Sequence, residues 1–147
     1  MKKLLAVLIV SAISNAQAFE LFKDYKFSTD VWNITFIKVN PNRINDYLAG
    51  LQQTWQSSCE IQQEMKTVKS CSIFVNTLNA QSPWNVMTVI QFPSAAASDP
   101  DQTRYDEFMA KWRAKLAEDK RENIVQGYDE FRQFVNEAEV RRVEFLK

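Results

Sequence analysis

The chain has 147 residues, and its 18 basic residues balance 18 acidic ones, so the formal net charge at neutral pH is zero. Without a basic excess, the composition gives no indication of a nucleic-acid partner or of attraction to an anionic membrane. There is no histidine and there are only two glycines. This excludes Ser-His-Asp and Cys-His catalysis, removes the usual imidazole ligand of zinc and haem, and disfavours glycine-rich phosphate loops. We therefore expect no metal site and no cofactor.

Residues 1–18 have the features of a secretory signal peptide. Met1-Lys2-Lys3 is a basic start, Leu4 to Ile13 is an apolar segment too short for a stable membrane anchor, and Ala16-Gln17-Ala18 has the small-x-small pattern of a cleavage site. We predict cleavage after Ala18, export to a bacterial periplasm or beyond, and no membrane attachment afterwards. An uncleaved N-terminal anchor is the alternative. The rest, 19–147, is enough for a single domain.

The first predicted strand runs from Val31 to Val39, where β-branched and aromatic residues alternate. Apolar residues fall on both of its faces, so we expect both faces to be covered. The aromatic-rich segment Phe19–Asp30 before it has no assignable structure. Asn40-Pro41 then supplies a cap and a first-turn proline, and an amphipathic helix is predicted to end near Met65.

Two β-rich segments follow, Ser70–Leu78 and Asn85–Phe92. The residues between them, Asn79–Trp84, include Pro83, which cannot donate to a strand ladder, and Asn and Ser, which favour turns. These segments predict an antiparallel hairpin with a loop longer than two residues.

The last third of the chain is predicted to contain two helices and a strand. Ser98 to Asp101 has the capping and acidic residues of a helix start. A charged break at Glu118–Glu122 precedes a second helical pattern, and Val140–Leu146 has the pattern of a closing strand. The inward residues are predicted to be Tyr105, Phe108, Met109, Trp112 and Leu116 in the first helix, and Ile124, Tyr128, Phe131 and Val135 in the second.

The resulting order is strand, helix, strand, strand, helix, additional helix, strand. This order predicts an α+β domain of the split βαβ, ferredoxin-like type, in which helices cover one face of a four-stranded antiparallel sheet. The other face also carries bulky residues, yet no helix remains to cover it. We therefore predict a two-fold homodimer whose two sheets pack face to face.

Three segments carry a family resemblance: Ile34–Pro41 leading into the helix with Tyr47, Val68–Phe74 and Val86–Pro93. In these segments, and over about Val31 to Leu146, the chain resembles the dimeric α/β barrel superfamily, the ferredoxin-like group that includes antibiotic-biosynthesis-type monooxygenases. Metal-free oxygenases and haem-degrading members of this group use an Asn, a Trp and a His. The resemblance makes Asn33 and Trp84 the counterparts of the first two, whereas the histidine has none.

Cys59 and Cys71 are the only cysteines. An even number in an exported protein suggests a disulfide, and the two residues are about equally far from the predicted helix end, so helix and strand could bring them together. The alternative is two buried free thiols.

Four residues are candidates for lining a ligand pocket: Asn33, Phe74, Asn76 and Trp84. Trp84 lies in a loop beside Pro83, and the two asparagines lie on strands between apolar neighbours. The asparagines could instead lie at sheet edges, where water or backbone satisfies them. The first hypothesis for function is a non-catalytic protein that binds a small apolar or aromatic molecule between sheet and helices. The alternatives are a structural or partner-binding protein without a pocket, and a cofactor-independent monooxygenase- or isomerase-like enzyme with a carboxylate or tyrosine as base.

Overall fold

The structure, a computed structural model, describes residues 18–77, 81–128 and 130–147. The predicted signal peptide lies outside this part except for Ala18, so it remains a prediction. The hairpin residues Leu78 to Ala80 also lie outside it. The strands are Tyr25–Phe27 (β1), Val31–Val39 (β2), Ser70–Val75 (β3), Val86–Phe92 (β4), Arg132–Val140 (β5) and Val143–Phe145 (β6). The α-helices are Ile44–Leu51 (α1), Ser57–Glu64 (α2), Ala95–Ser98 (α3), Gln102–Lys115 (α4) and Glu118–Gln126 (α5).

The main sheet has four antiparallel strands in the order β3-β4-β2-β5. The first strand of this sheet along the chain, β2, is central and is flanked by the third and the fourth, which is the ferredoxin-like order. The predicted fold class is therefore confirmed. The register between β2 and β5 shifts between Phe36 and Ile37, which indicates a β-bulge.

The helix that follows β2 begins as the sequence predicts. The Asn40 side chain accepts a hydrogen bond from the Asn42 N–H at 3.1 Å, and Pro41 opens a single 3-10 turn. From Ile44 the backbone stays helical as far as Glu64, with a π-helical segment at Gln52–Gln56 between α1 and α2. The prediction of one helix ending near Met65 is confirmed.

The hydrophobic core lies between this helix and the sheet. Ile37, Val39 and Val86 come from the sheet, and Tyr47 and Leu51 come from α1. Tyr128, which follows α5, completes the buried cluster, and its ring packs edge-on against Tyr47 with 4.9 Å between the ring centroids.

We call the face of the main sheet that packs on α1 the helix face and the opposite one the far face. The register places Asn33, Thr35 and Ile37 of β2 on the helix face. No far-face residue belongs to the core cluster, and the large far-face side chains are half-buried, except that Phe74 is 49% exposed. These far-face residues are Trp32, Ile34, Phe36, Phe74, Met87 and Val89.

Cys59 of α2 and Cys71 of β3 form a disulfide, with 6.3 Å between their Cα atoms. The predicted pairing is confirmed. The disulfide links the helix layer to the strand at one edge of the sheet.

The end of the chain differs from the prediction. The closing strand of the main sheet is Arg132–Val140, whereas Val143–Phe145 pairs with Tyr25–Phe27 in a separate two-stranded sheet. The prediction of a single closing strand at Val140–Leu146 was wrong. As an edge strand with charged residues on both sides of a bulge, β5 lacks the regular apolar alternation from which strands are recognised.

Two helical predictions also need correction. The charged segment Glu118–Glu122 is the first half of α5, not a break, and α5 ends at Gln126, so Phe131 and Val135 are not helical. Glu, Lys and Arg have high helix propensity, so a run of charges is compatible with a helix. Tyr105, predicted to face inward, is 57% exposed. The predicted start of α4 is confirmed, since the Asp101 side chain caps it by accepting from the Arg104 N–H.

Candidate functional site

A groove with aromatic walls lies between α2, the end of β4 and α4. Its volume is about 350 Å³. Phe108 and Trp112 of α4 line one wall and contact each other edge-on, with 4.9 Å between the ring centroids. Met65, at the end of α2, and Phe92, the last residue of β4, line the other. We call this space the aromatic groove.

The position of α4 keeps the aromatic groove open. No α4 residue is fully buried, and Phe108, Met109 and Trp112 on its inner side are half-buried. At its start, the Arg104 guanidinium donates to the carbonyl oxygens of Ala97 and Asp99 at 2.9 and 2.6 Å. At its end, Lys115 forms an ion pair with Glu60 of α2. Both ends of α4 are thus fixed to neighbouring elements, while side chains in its middle line the groove.

Polar side chains on the α2 side of the groove are already ordered. The Gln62 amide donates to the Ser58 hydroxyl at 3.2 Å, and the Thr67 hydroxyl donates to the Gln62 carbonyl oxygen at 2.9 Å. Asp99, Asp101 and Arg104 add charged groups to the lining near the start of α4. The groove therefore combines aromatic walls with polar groups that could orient a small molecule.

A second cavity of about 200 Å³ adjoins the groove, because Ser58 and Trp112 line both. Its inner end is formed by Tyr128 and Arg132, whose guanidinium carbon lies 4.8 Å from the centroid of the Tyr128 ring. Burial raises the pKa of Tyr128 and of Tyr47. Both phenols are therefore neutral near neutral pH, and the positive charge of Arg132 stays against their rings.

Asn33 lines a separate cleft of about 360 Å³ on the helix face. Its neighbours across β5 are Glu139, directly opposite, and Glu137, which is opposite Thr35. Both carboxylates are exposed. The Asn33 Oδ1 atom is buried, and no donor in the described part of the chain reaches it. A buried amide oxygen without a partner costs on the order of 1–3 kcal/mol, so this atom is a local weakness of the fold or a group that a ligand completes.

The four residues predicted to line one pocket are not brought together. Asn33 is on the helix face, whereas Phe74 and Trp84 are associated with the far face, where Trp84 packs on Phe36 with 5.3 Å between ring centroids. Asn76 lies just beyond β3, and its backbone N–H donates to the Asn85 carbonyl oxygen. Strand alternation explains the split, since Asn33 and Phe74 fall on opposite faces in the observed register.

The aromatic groove uses residues that the sequence presents as ordinary core. Phe108 and Trp112 fit a helical stripe, and nothing in that spacing shows that they line a groove. Phe92 next to Pro93 has the pattern of a strand end. The only signal in the sequence was the excess of aromatic residues on helices already predicted to cover the sheet.

Among the described side chains, no group of three or more Cys, Asp or Glu residues is placed to hold a metal ion. None of the helices within the described ranges is both long and apolar enough to cross a membrane.

No protein-family model matches the chain, and no curated protein is similar to it in sequence. The solved structures that match include protein SO0527 from Shewanella oneidensis, at 16% identity and a TM-score of 0.49, covering 82% of this chain and 98% of that one.

Two further solved structures bear on the resemblance noted from the sequence. A dimeric protein of ferredoxin-like fold from Bacteroides fragilis matches at 11% identity and a TM-score of 0.39, covering 82% of this chain and 99% of that one. An antibiotic biosynthesis monooxygenase-like protein from Bacteroides thetaiotaomicron matches at 12% identity and a TM-score of 0.40, covering 78% of this chain and 88% of that one.

Proposed function

We propose that the protein is a non-catalytic small-molecule-binding protein whose ligand, an apolar or aromatic compound, occupies the aromatic groove. The observation that carries this proposal is the groove itself, about 350 Å³ walled by Met65, Phe92, Phe108 and Trp112. A space of this size and lining favours a flat apolar ligand, because burying its surface and stacking it against aromatic rings are both favourable.

Binding is favoured over the enzymatic alternative by the state of the possible bases. Tyr128, which lines the adjoining cavity, and Tyr47, which packs on it, have raised pKa values and stay protonated, so they are poor bases near neutral pH. The two carboxylates near Asn33 are exposed, which gives them no desolvated setting of the kind that tunes catalytic acids.

The test is to identify what copurifies with the native protein by mass spectrometry, and to titrate the purified protein with 1-anilinonaphthalene-8-sulfonate as an aromatic probe. Phe108→Ala is expected to weaken probe binding about tenfold or more, the loss of about 1.4 kcal/mol or more of contact. Phe74→Ala removes the same ring from the far face and is the matched control. Equal binding by both variants and the wild type would contradict the proposal.

We also propose that the protein forms a two-fold homodimer through the far face. This face presents Trp32, Ile34, Phe36, Met87 and Val89 without a helix over them. A second copy would cover it with an identical apolar surface, as an isologous interface requires.

Export from the cytoplasm is part of the same proposal. It is supported by the signal-like sequence at residues 1–18 and by the disulfide, which persists in oxidising compartments. Cell fractionation with N-terminal sequencing tests it, and a cytoplasmic protein that begins at Met1 would contradict it.

A further inference from the structure

The two-stranded sheet carries the most exposed aromatic surface in the described chain. Phe19, Phe22 and Phe145 are 65%, 78% and 73% exposed, and Phe27 is 45% exposed. The rings contact one another: Phe19 stacks on Tyr25 at 5.4 Å between centroids and lies 6.1 Å from Phe145. We call β1, β6 and residues 19–22 the aromatic arm. Contiguous apolar surface of this kind marks an interaction site in a folded protein.

The aromatic arm joins the domain beside the far face. Ser28 and Arg142 bind each other through two hydrogen bonds, from the Ser28 N–H to the Arg142 carbonyl at 2.8 Å and from the Arg142 N–H to the Ser28 hydroxyl at 3.1 Å. The Arg142 guanidinium then lies over the ring of Trp32, 5.9 Å from its centroid. Because Trp32 is a far-face residue, the surface of the arm continues into the far face.

Three of the basic residues beside the exposed rings are paired with acids. Lys23 lies 3.4 Å from Glu20, and Glu144 lies 3.5 Å from Lys26 and 2.8 Å from Arg142. These pairs lower the attraction for anionic lipid or nucleic acid, whose binding requires free cations. They favour an apolar surface as the occupant.

The size of the far face shows why a second copy needs this additional surface. The four strands have 9, 6, 7 and 9 residues, so at about 3.3 Å per residue and about 4.8 Å between strands the flat area of the face is roughly 490 Å². A stable interface buries about 800 Å² of accessible surface on each partner. The flat area of the far face is below that figure, and the arm is apolar surface that can add to it.

We propose that the aromatic arm packs against the second copy of this chain and completes the dimer interface begun by the far face. This inference rests on the proposed homodimer. Each arm contacts the partner's sheet or the partner's arm, so both apolar surfaces are covered by one two-fold operation.

The test measures the dimer dissociation constant by sedimentation equilibrium for the wild type and three variants. The double variant Phe19→Ser/Phe145→Ser alters the arm and is expected to raise the constant about tenfold or more. Tyr105→Ser removes an equally exposed ring from α4 and should leave it unchanged. Phe74→Glu places a charge on the far face and should prevent dimerisation. Circular dichroism and urea unfolding check that each variant is folded. Because these side chains are exposed, we expect the substitutions to leave the fold intact.

The outcomes separate the two proposals. A wild-type dimer that is disrupted by Phe74→Glu but unaffected by the arm variant overturns the role of the arm and leaves the dimer standing. A wild type that stays monomeric at high concentration overturns both. Co-sedimentation of the wild type with phosphatidylcholine vesicles, abolished by the arm variant, would assign the arm to a lipid surface and overturn this inference.

Discussion

At the scale of single residues, two asparagines on neighbouring strands have opposite surroundings. Asn85 is buried, and its side chain both donates to the Val39 carbonyl at 2.7 Å and accepts from the Val39 N–H at 2.8 Å, which ties the end of β2 to the start of β4. Asn33 has a buried Oδ1 without a donor in the described chain. The same residue type therefore stabilises the fold at one position and weakens it at the other.

The substitution of each asparagine by leucine tests this contrast. Asn33→Leu should raise the free energy of unfolding by about 1 kcal/mol, because it removes an unsatisfied buried acceptor. Asn85→Leu should lower it by about 2–4 kcal/mol, because it leaves two buried backbone groups unpaired. Urea unfolding measures both, and the opposite order would show that Asn33 is satisfied in solution.

The Asp30 carboxyl should make the stability of the junction between the two sheets sensitive to acid. Its hydrogen bond with Lys69, at 2.6 Å, lowers the pKa of this carboxyl below its ordinary value, and the hydrogen bond from Gln91 acts in the same direction. A lowered pKa in the folded state contributes stability above the ordinary pKa, about 3.9, that is lost as the pH falls through the folded value.

Asp30→Asn should therefore show a smaller fall in stability below about pH 4 than the wild type does. Thermal unfolding followed from pH 7 to pH 3 measures this difference. Glu139→Gln, an exposed residue without an ion pair among the described side chains, is the control. A wild-type profile that the Asp30 variant reproduces would contradict the prediction.

At the scale of elements, the contact between α1 and the segment after α5 depends on Gly50. A Cβ atom at this position would lie 2.8 Å from the Cε1 and Cζ atoms of the Tyr128 ring, which is in the core cluster. The glycine therefore allows the helix and the tyrosine to approach closely, and this packing forms the inner end of the cavity that adjoins the groove.

Gly50→Ala should lower the free energy of unfolding by about 1–3 kcal/mol, because the added methyl group overpacks the core. Gly127→Ala is the matched control, since its Cβ would meet nothing nearer than the Ile124 carbonyl oxygen at 3.8 Å. With a backbone φ of −67° there, the alanine should be neutral or stabilising by up to about 1 kcal/mol. Denaturant titration of both variants measures the difference.

The disulfide acts at the same scale, since it joins α2 to the edge strand β3. Cys59→Ser/Cys71→Ser should lower the free energy of unfolding by about 2–3 kcal/mol, because the unfolded chain regains the freedom of a short closed loop. Guanidinium unfolding measures the loss, and the wild type treated with a reductant should show the same change. Unchanged stability would mean that the folded packing, not the link, holds the helix to the strand.

At the scale of the whole molecule, the domain covers one face of its sheet and leaves the other apolar. If a second copy covers that face, the folded state is linked to association, and stability rises with protein concentration. The melting temperature of the wild type should increase by several degrees between micromolar and millimolar protein. The melting temperature of the Phe74→Glu variant should not depend on concentration in this range. A wild type whose melting temperature is also independent of concentration would be a monomer and would contradict the prediction.

Much of this architecture was predictable because its determinants are local. The alternation in β2 and β4, the Asn40 and Asp101 caps and the turn residues around Pro83 act over a few neighbouring positions. Their order along the chain predicts the split βαβ arrangement and a face left without helices. The disulfide was accessible for a similar reason, since its cysteines are only twelve residues apart.

The tertiary structure alone decided the site. The aromatic groove depends on where α4 lies, and α4 is held by contacts with Ala97, Asp99 and Glu60, which no local pattern encodes. The pairing of β6 with β1 joins segments more than a hundred residues apart. Sequence patterns report the surroundings that each residue prefers, whereas cavities and long-range pairings arise from where separate elements come to lie in space.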